Sequence, residues 1–382
     1  MEKEIYLDNA ATTQALPEAT EAAVDALTNN YANPSSLHNK GLAAEKLLKN
    51  SRKLLADYLN VKNSEIIFTS GGTESNNLAI RGIIESYKQR GKHLITSAVE
   101  HSSVNNLFEA LKNEGWEVDK IGVDRCGSIN LKELEAKIRE DTVLVSLMHV
   151  NNELGTIQPL NEAAKIIKKK NPLTFLHVDG VQALGKIDIN LNKLPAELYS
   201  ISGHKIHGPK GIGALYLKKA TELKPLIYGG GQEKNLRSGT ENTPGIAGLA
   251  EAVKKLPNLN KNNPKDKKME GVKNYLLKSL QEIDEVVINS PKNGAPHIVN
   301  FSIPGIKGET MLHALEDKGI YLSTGSACSS KAKGSRIINA CGLSEKRSES
   351  ALRASLNREI TKDDIDYFIE ILIEQIDFLK LF

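Results

Sequence analysis

The sequence predicts an α/β protein: a mostly parallel sheet covered by helices on both faces, with a second and smaller α+β unit beyond it. Three observations carry the prediction. Short apolar runs alternate with amphipathic stretches from about Ser64 to Ile227. The runs HLITSAV, VLVSLMHV, FLHVD and LYSISG are mostly apolar on both faces, as strands buried from two sides must be. The rhythm changes after Gly248, and 382 residues exceed what one compact core usually holds.

Taken in order, EIIFTS (65–70) reads as the first of these strands. GGTESNNLAIRGIIESYKQRG (71–91) follows as a glycine-led helix, with Leu78, Ile80, Ile83, Ile84 and Tyr87 near helical spacing and Gly91 as its stop. A later helix runs through Leu256 and gives way to PNLNKNNPKDKK (257–268), a polar connector rich in Pro, Asn and Lys. The boundary therefore falls near Lys255–Pro257. Beyond it come a helix over Val272–Ile283, strands at VVINS and HIVNFSI, a helix near Thr310–Lys318 and a strand at YLSTG. TKDD (361–364) is a capping box for the amphipathic helix IDYFIEILIEQIDFL that follows.

Composition excludes several classes. Apolar residues make up 40% and charged residues 25%, an ordinary globular balance, and the net charge of +3 is too small and diffuse for nucleic acid as the main partner. No run approaches the roughly 18 apolar residues of a membrane span, and MEKEIYLDNAATT is not a secretory signal. Three cysteines at irregular spacing argue against a disulfide framework and for a reducing cytoplasm. No metal-ligand spacing is present. Cys126, in DRCGS, and Cys341, in RIINACGL, are expected to be buried and inert. Cys328, in STGSACSSKAKG, differs: small residues and lysines surround it, predicting an exposed, mobile segment whose cations favour thiolate.

Asp179 ends the apolar FLHVD run, which places it at the tip of a strand or, alternatively, as a turn aspartate capping GVQALG. Lys205 lies 26 residues later in SGHKIHGPKG, a glycine-rich turn between two apolar strands. A loop lysine alone is ordinarily a solvated charge. Gly71, Gly72 and Thr73 open a helix directly after a strand, where free N–H groups and the helix dipole form a phosphate cradle. Ser202 and His204 could add phosphate donors, and His101, in VEHSSV, could stack on a ring and move protons. A lysine for an aldehyde, a carboxylate for a pyridine nitrogen, phosphate donors and a flat stacking group are together what pyridoxal 5'-phosphate demands.

These segments resemble the cysteine desulfurases, fold-type-I pyridoxal phosphate transferases of the class-V aminotransferase family. The match runs in collinear order through YLDNAATT (6–13), ANPSSLH (32–38), TSGGTESNN (69–77), VEH (99–101), VNNELGTIQP (150–159) and HVDGVQALGK (177–186). It continues through SGHKIHGPKGIGALY (202–216), GGGQEKNLRSGTENTPGIAG (229–248), STGSACSS (323–330) and LRASL (352–356). Gly180 departs from the alanine common in the family, Ala354 from a phenylalanine, and SSKAKGSRI from a Glu-Pro stretch after the reactive cysteine.

The resemblance implies a large domain, 14–256, with a mixed, mostly parallel seven-stranded sheet, and a small α+β domain from 1–13 and 257–382 that carries the reactive cysteine. It implies Lys205 as the Schiff-base lysine, Asp179 as partner of the pyridine nitrogen, and Gln182 with Asn152 at the ring hydroxyl oxygen. His101 would stack on the ring, while Thr73, Gly72, Ser202 and His204 would hold the phosphate, helped by Thr240 of the other subunit of a homodimer. Arg353, with Asn33 nearby, would clamp the substrate carboxylate. L-cysteine would become L-alanine, and Cys328 would take the sulfur as a persulfide. The persulfide would pass to an acceptor protein such as an iron–sulfur scaffold or a tRNA-thiolation enzyme. A selenocysteine lyase or aminotransferase is the nearest alternative. A non-catalytic assembly partner is the alternative of another class, and would be expected to lack Lys205, Asp179 or Cys328.

Overall fold

The computed structural model describes residues 4–257, 268–325 and 334–381. The strands are β1 (Ile5–Tyr6), β2 (Ile66–Thr69), β3 (His93–Ser97), β4 (Glu117–Ile121), β5 (Thr142–Met148), β6 (Phe175–Asp179), β7 (Leu198–Ser202), β8 (Gly213–Leu217), β9 (Val287–Ile288), β10 (Ile298–Ser302), β11 (Ile320–Tyr321) and β12 (Ala351–Ser355). The helices are α1 (Pro17–Thr28), α2 (Asn39–Leu59), α3 (Gly72–Tyr87), α4 (Ser102–Asn113), α5 (Leu131–Lys137), α6 (Leu160–Lys170), α7 (Thr243–Lys254), α8 (Lys268–Gln281), α9 (Gly308–Glu316), α10 (Arg336–Ala340), α11 (Glu345–Glu349) and α12 (Lys362–Leu379).

Seven strands form one sheet in the order β2-β8-β7-β6-β5-β3-β4. Only β8 opposes the others, because it returns directly from β7 through the SGHKIHGPKG turn. The period-two alternation of each strand sorts the side chains to two faces. Ile67, Leu94, Leu144, Leu198 and Leu215 pack with α3 and α4. Phe68, Ile95, Val145, Leu147, Val178 and Tyr199 pack on the other face with residues of α2, α5, α6 and α7. Both faces are dry, which is why the strands read as nearly continuous apolar runs.

A second core gathers α8, α9, α12 and the sheet β12-β10-β9 together with Ile5 and Leu7. The N-terminal residues belong to it through parallel pairing of β1 with β11. Thr361 and Asp364 form the expected capping box at the start of α12. Asp8 then bridges to Ser355, and the Ala10 N–H donates to Ser355 Oγ at 2.8 Å. A few residues on, the Thr13 N–H and hydroxyl both donate to the His204 carbonyl at 2.9 Å. Residues 8–13 thus cross from one core to the other. Cys341 is buried as expected, and its thiol is pushed up to about 12 by burial. Cys126 corrects the expectation: it is exposed, because the Asp124–Gly127 turn lifts it away from the sheet.

Candidate active site

Open α/β sheets bind ligands beyond the carboxyl ends of their parallel strands. Here Met148, Asp179 and Ser202 are the last residues of β5, β6 and β7, and all three line one cavity of about 760 Å³. Asp179 ends β6, and it makes the turn contact that its alternative reading gave it. Its Oδ1 accepts from the Val181 N–H at 3.1 Å, which caps the turn, and its Oδ2 accepts from Asn76 Nδ2 at 2.8 Å. Lys205 lies across the cavity, where its Nζ donates to the carbonyls of Ala10 and Ala11 at 2.6 Å each. Gln182 donates to the same Ala10 carbonyl at 2.8 Å.

The start of α3 opens onto the same cavity. Gly71 takes a φ of +153°, open to glycine, and no side chain caps α3. Gly72 and Thr73 face the cavity from this helix start, opposite Ser202 and His204. The His204 Nδ1 lies 3.1 Å from Thr12 Oγ1, and burial, aided by Lys205 and Lys210, holds its pKa at about 4. It is therefore a neutral donor rather than a cation at neutral pH. His101 caps α4 by accepting from the Ser103 N–H, and its ring borders the cavity. Burial lowers its pKa, with Asp179 opposing.

Arg353 projects from β12 of the second core. Its Nη2 donates to Asp8 Oδ1 at 2.6 Å and its Nη1 to the Asn152 carbonyl at 2.9 Å. Burial raises the Asp8 carboxyl above its ordinary range, and the guanidinium opposes this. A substrate carboxylate reaching Arg353 therefore competes with an internal one.

Ten of the thirteen residues singled out from the sequence line this cavity. Asn33 does not: it is exposed and its Oδ1 accepts from the Ser35 N–H at 2.9 Å, closing a tight surface turn. Thr240 is exposed and also stands off the cavity of its own chain. Cys328 lies outside the described residues, but Gly325 and Gly334, on either side of it in sequence, both line the cavity. Among the lining residues that sequence reasoning did not single out, Asn76, Glu100 and Arg336 bear most on the site's chemistry. Asn76 sits in the quoted TSGGTESNN motif, one turn into α3 from Gly72, so helical spacing alone put it on the helix face that Gly72 turns to the cavity; its contact with Asp179 comes from the fold. Glu100 is fully buried beside His101; its Oε1 accepts from Ser97 Oγ at 2.5 Å and from the Met148 N–H at 3.0 Å. Burial pushes its carboxyl up to about 8. Arg336 donates from α10 to the carbonyls of Ala98 and Glu100.

The cavity fits a polar, phosphorylated ring. Buried Ser202 Oγ, Asn152 Oδ1, Asn76 Oδ1 and Arg353 Nε all lack a hydrogen-bond partner within the chain. Each such atom is costly unless a ligand or water satisfies it. Among the described residues no His, Cys, Asp and Glu cluster could hold a metal, and no helix is long and apolar enough to cross a membrane.

A sequence model of the family described as aminotransferase class-V matches residues 5–368. A protein of Dictyoglomus turgidum named cysteine desulfurase IscS is 40% identical over 100% of this chain and 96% of its own length. A solved structure described as a NifS-like protein superposes with a TM-score of 0.93 at 37% identity, covering 98% of this chain and 100% of that one. Another, described as SspA in complex with cysteine, reaches 0.82 at 34% identity over 93% and 99% of the two chains.

Proposed function

This chain belongs to the cysteine desulfurases among the class-V aminotransferases, pyridoxal phosphate enzymes of fold type I, and we propose that the cavity at the ends of β5, β6 and β7 is where it desulfurates L-cysteine. The observation that supports this most is the company Lys205 keeps: Asp179, an uncapped helix start, and unpartnered Ser202 and Asn152 in one cavity. Bound there, pyridoxal phosphate supplies the electron sink that lets the Cα–H bond of an amino acid break.

The chain's own residues do the rest. Lys205 anchors the cofactor and moves the Cα proton. Asp179, with one oxygen held by Asn76, keeps a proton on the pyridine nitrogen. The start of α3, with Thr73, Ser202 and neutral His204, holds the phosphate. His101 stacks on the ring, and its lowered pKa leaves it free to accept a proton. Gln182 and Asn152 meet the ring hydroxyl. Arg353 takes the substrate carboxylate in bidentate fashion, trading Asp8 for it. Cys328 thiolate attacks the substrate sulfur: an S–S bond forms, the Cβ–S bond breaks, and protons go to the three-carbon fragment. L-cysteine plus enzyme thiol gives L-alanine plus enzyme persulfide, with atoms and electrons balanced. Placement of Gly325 and Gly334 on the cavity wall supports Cys328 as that thiol.

The persulfide then passes to an acceptor protein that builds iron–sulfur clusters or thiolates tRNA. We read the two cores as domains of 14–256 and of 1–13 with 257–382. A homodimer, with Thr240 completing the partner's phosphate site, accounts for exposed Tyr31 and Leu37 beside Asn33 and for exposed Tyr228. Free Cys126 and Cys341 suit a reducing cytoplasm. The purified protein should absorb near ~400 nm and release alanine in step with sulfide from L-cysteine plus a thiol. Colourless protein that gains no band with added cofactor, or a Cys328→Ser variant that still turns over, overturns the reading.

A further inference from the structure

Gly180 follows Asp179 directly, and a side chain there has no room. A Cβ on Gly180 would lie 1.8 Å from Cε1, 2.1 Å from Cζ and 2.5 Å from the hydroxyl oxygen of Tyr199. Tyr199 is fully buried on β7, on the sheet face packed by α2, α5, α6 and α7. Its hydroxyl shares a 2.8 Å hydrogen bond with His149 Nδ1, and the two rings meet edge to face at 5.9 Å. The His149 N–H donates to the Asp179 carbonyl at 2.8 Å, and the Gly180 N–H to Ser200 at 3.0 Å. Burial keeps His149 neutral down to about 4 and raises Tyr199. The pair is therefore uncharged across the working range.

We propose that Tyr199 and His149 form a positioning pair that braces the Asp179–Gly180 turn from behind the sheet, and that glycine at 180 is the condition for this brace. The inference rests on the proposed role of Asp179. It follows from geometry alone that residue 180 and residue 199 are coupled in size. Phe at 199 would leave the ring in place and remove only the link to His149. Leu at 199 would vacate the space that a methyl at 180 needs. The backbone of His149 ties β5 to the end of β6, and the hydroxyl ties it to β7. Asp179 is thus held on its carboxylate side by Asn76 and on its backbone side by this pair.

The test titrates pyridoxal phosphate into the cofactor-stripped full chain, with melting temperature as a folding control, and follows the pH midpoint of the bound cofactor's absorption band. Gly180→Ala should weaken cofactor binding about tenfold or more. The double variant Gly180→Ala with Tyr199→Leu should bind within about threefold of Tyr199→Leu alone, a strongly non-additive result. Tyr199→Phe should fold, bind the cofactor about three- to tenfold more weakly and move the pH midpoint of the band. Additive losses in the double variant, or a Tyr199→Phe protein with unchanged affinity and midpoint, overturn the proposal. Asp179→Ala in the same assay separates the two levels. Unchanged binding there overturns the site assignment and the brace with it. A loss there, with no effect of Tyr199→Phe, removes the brace alone.

Discussion

The cavity has two walls of different construction. One is made of strand ends: Met148 and Asp179 are paired in the parallel ladder, Ser202 is paired with Gly213 of antiparallel β8, and all three residues are 5% exposed or less. The other is made of pieces from the second core: Arg353 on β12, Arg336 on α10, and Gly325 and Gly334, both at positive φ. The first wall is held by neighbours close in the sheet. The second is held by links spanning hundreds of residues, such as Arg353 to Asp8 and Arg336 to Ala98. Under the proposed function, the difference matches the chemistry asked of each. A cofactor that stays needs a rigid seat, while a substrate that comes and goes needs groups able to exchange partners.

Variants should separate the walls. Asp179→Ala should cost the most, lowering turnover by about 100- to 1000-fold and altering the cofactor band, because an electrostatic partner inside a closed site is lost. A variant with full turnover breaks the division at its root. Arg353→Ala should leave the band intact and raise KM for L-cysteine by about 10- to 100-fold, as loss of a charged hydrogen bond implies. A changed band in that variant would mean the walls are not independent. Ser202→Ala removes one phosphate-side hydroxyl and should weaken cofactor binding about fivefold with KM for cysteine unchanged, which equilibrium titration can show.

A smaller effect concerns Glu100, where the walls meet. Burial keeps its carboxyl protonated in the folded chain up to about 8, against 4.5 ordinarily. Between these values the folded chain holds a proton that the unfolded chain has released. Stability contributed by this group is present below 4.5 and declines as pH rises toward 8, at no more than about 1.4 kcal/mol per unit. Glu100→Gln should flatten that decline in melting experiments from pH 5 to 8. An unchanged slope would show that Glu100 is not the group responsible.

The strand-end wall was legible in the sequence because its signals are local. The FLHVD run gives both the strand and the residue at its tip, and GGT after IIFT gives both helix start and cradle. The strands β1, β4 and β12 went unread as such, since EVDKI is half-exposed and two-residue β1 has no period to detect. The helices α1 and α2 carry no glycine-led start like that of α3 and were passed over. Arg353 was placed by resemblance; its ion pair with Asp8 joins residues 345 apart, beyond any spacing rule. Glu100 gave no signal, because a buried neutral acid looks like a surface glutamate until its surroundings are known. Gly180, a simple departure in sequence, acquires its reason only from Tyr199 on the neighbouring strand.

The crossing segment at residues 8–13 bears on the order of events during synthesis. The carbonyls of Ala10 and Ala11 hold Lys205 and Gln182, yet Ala10 itself is anchored by Ser355, near the other end of the chain. A ribosome makes the whole seven-stranded sheet before it reaches that serine. The nascent chain can therefore build the strand ends around the cavity early, while Ala10 gains its Ser355 anchor only once the last strand has emerged. The segment that joins the two cores thus takes its final position only after both have been synthesised, so the contact between the first residues and the last strand is among the latest the chain can make.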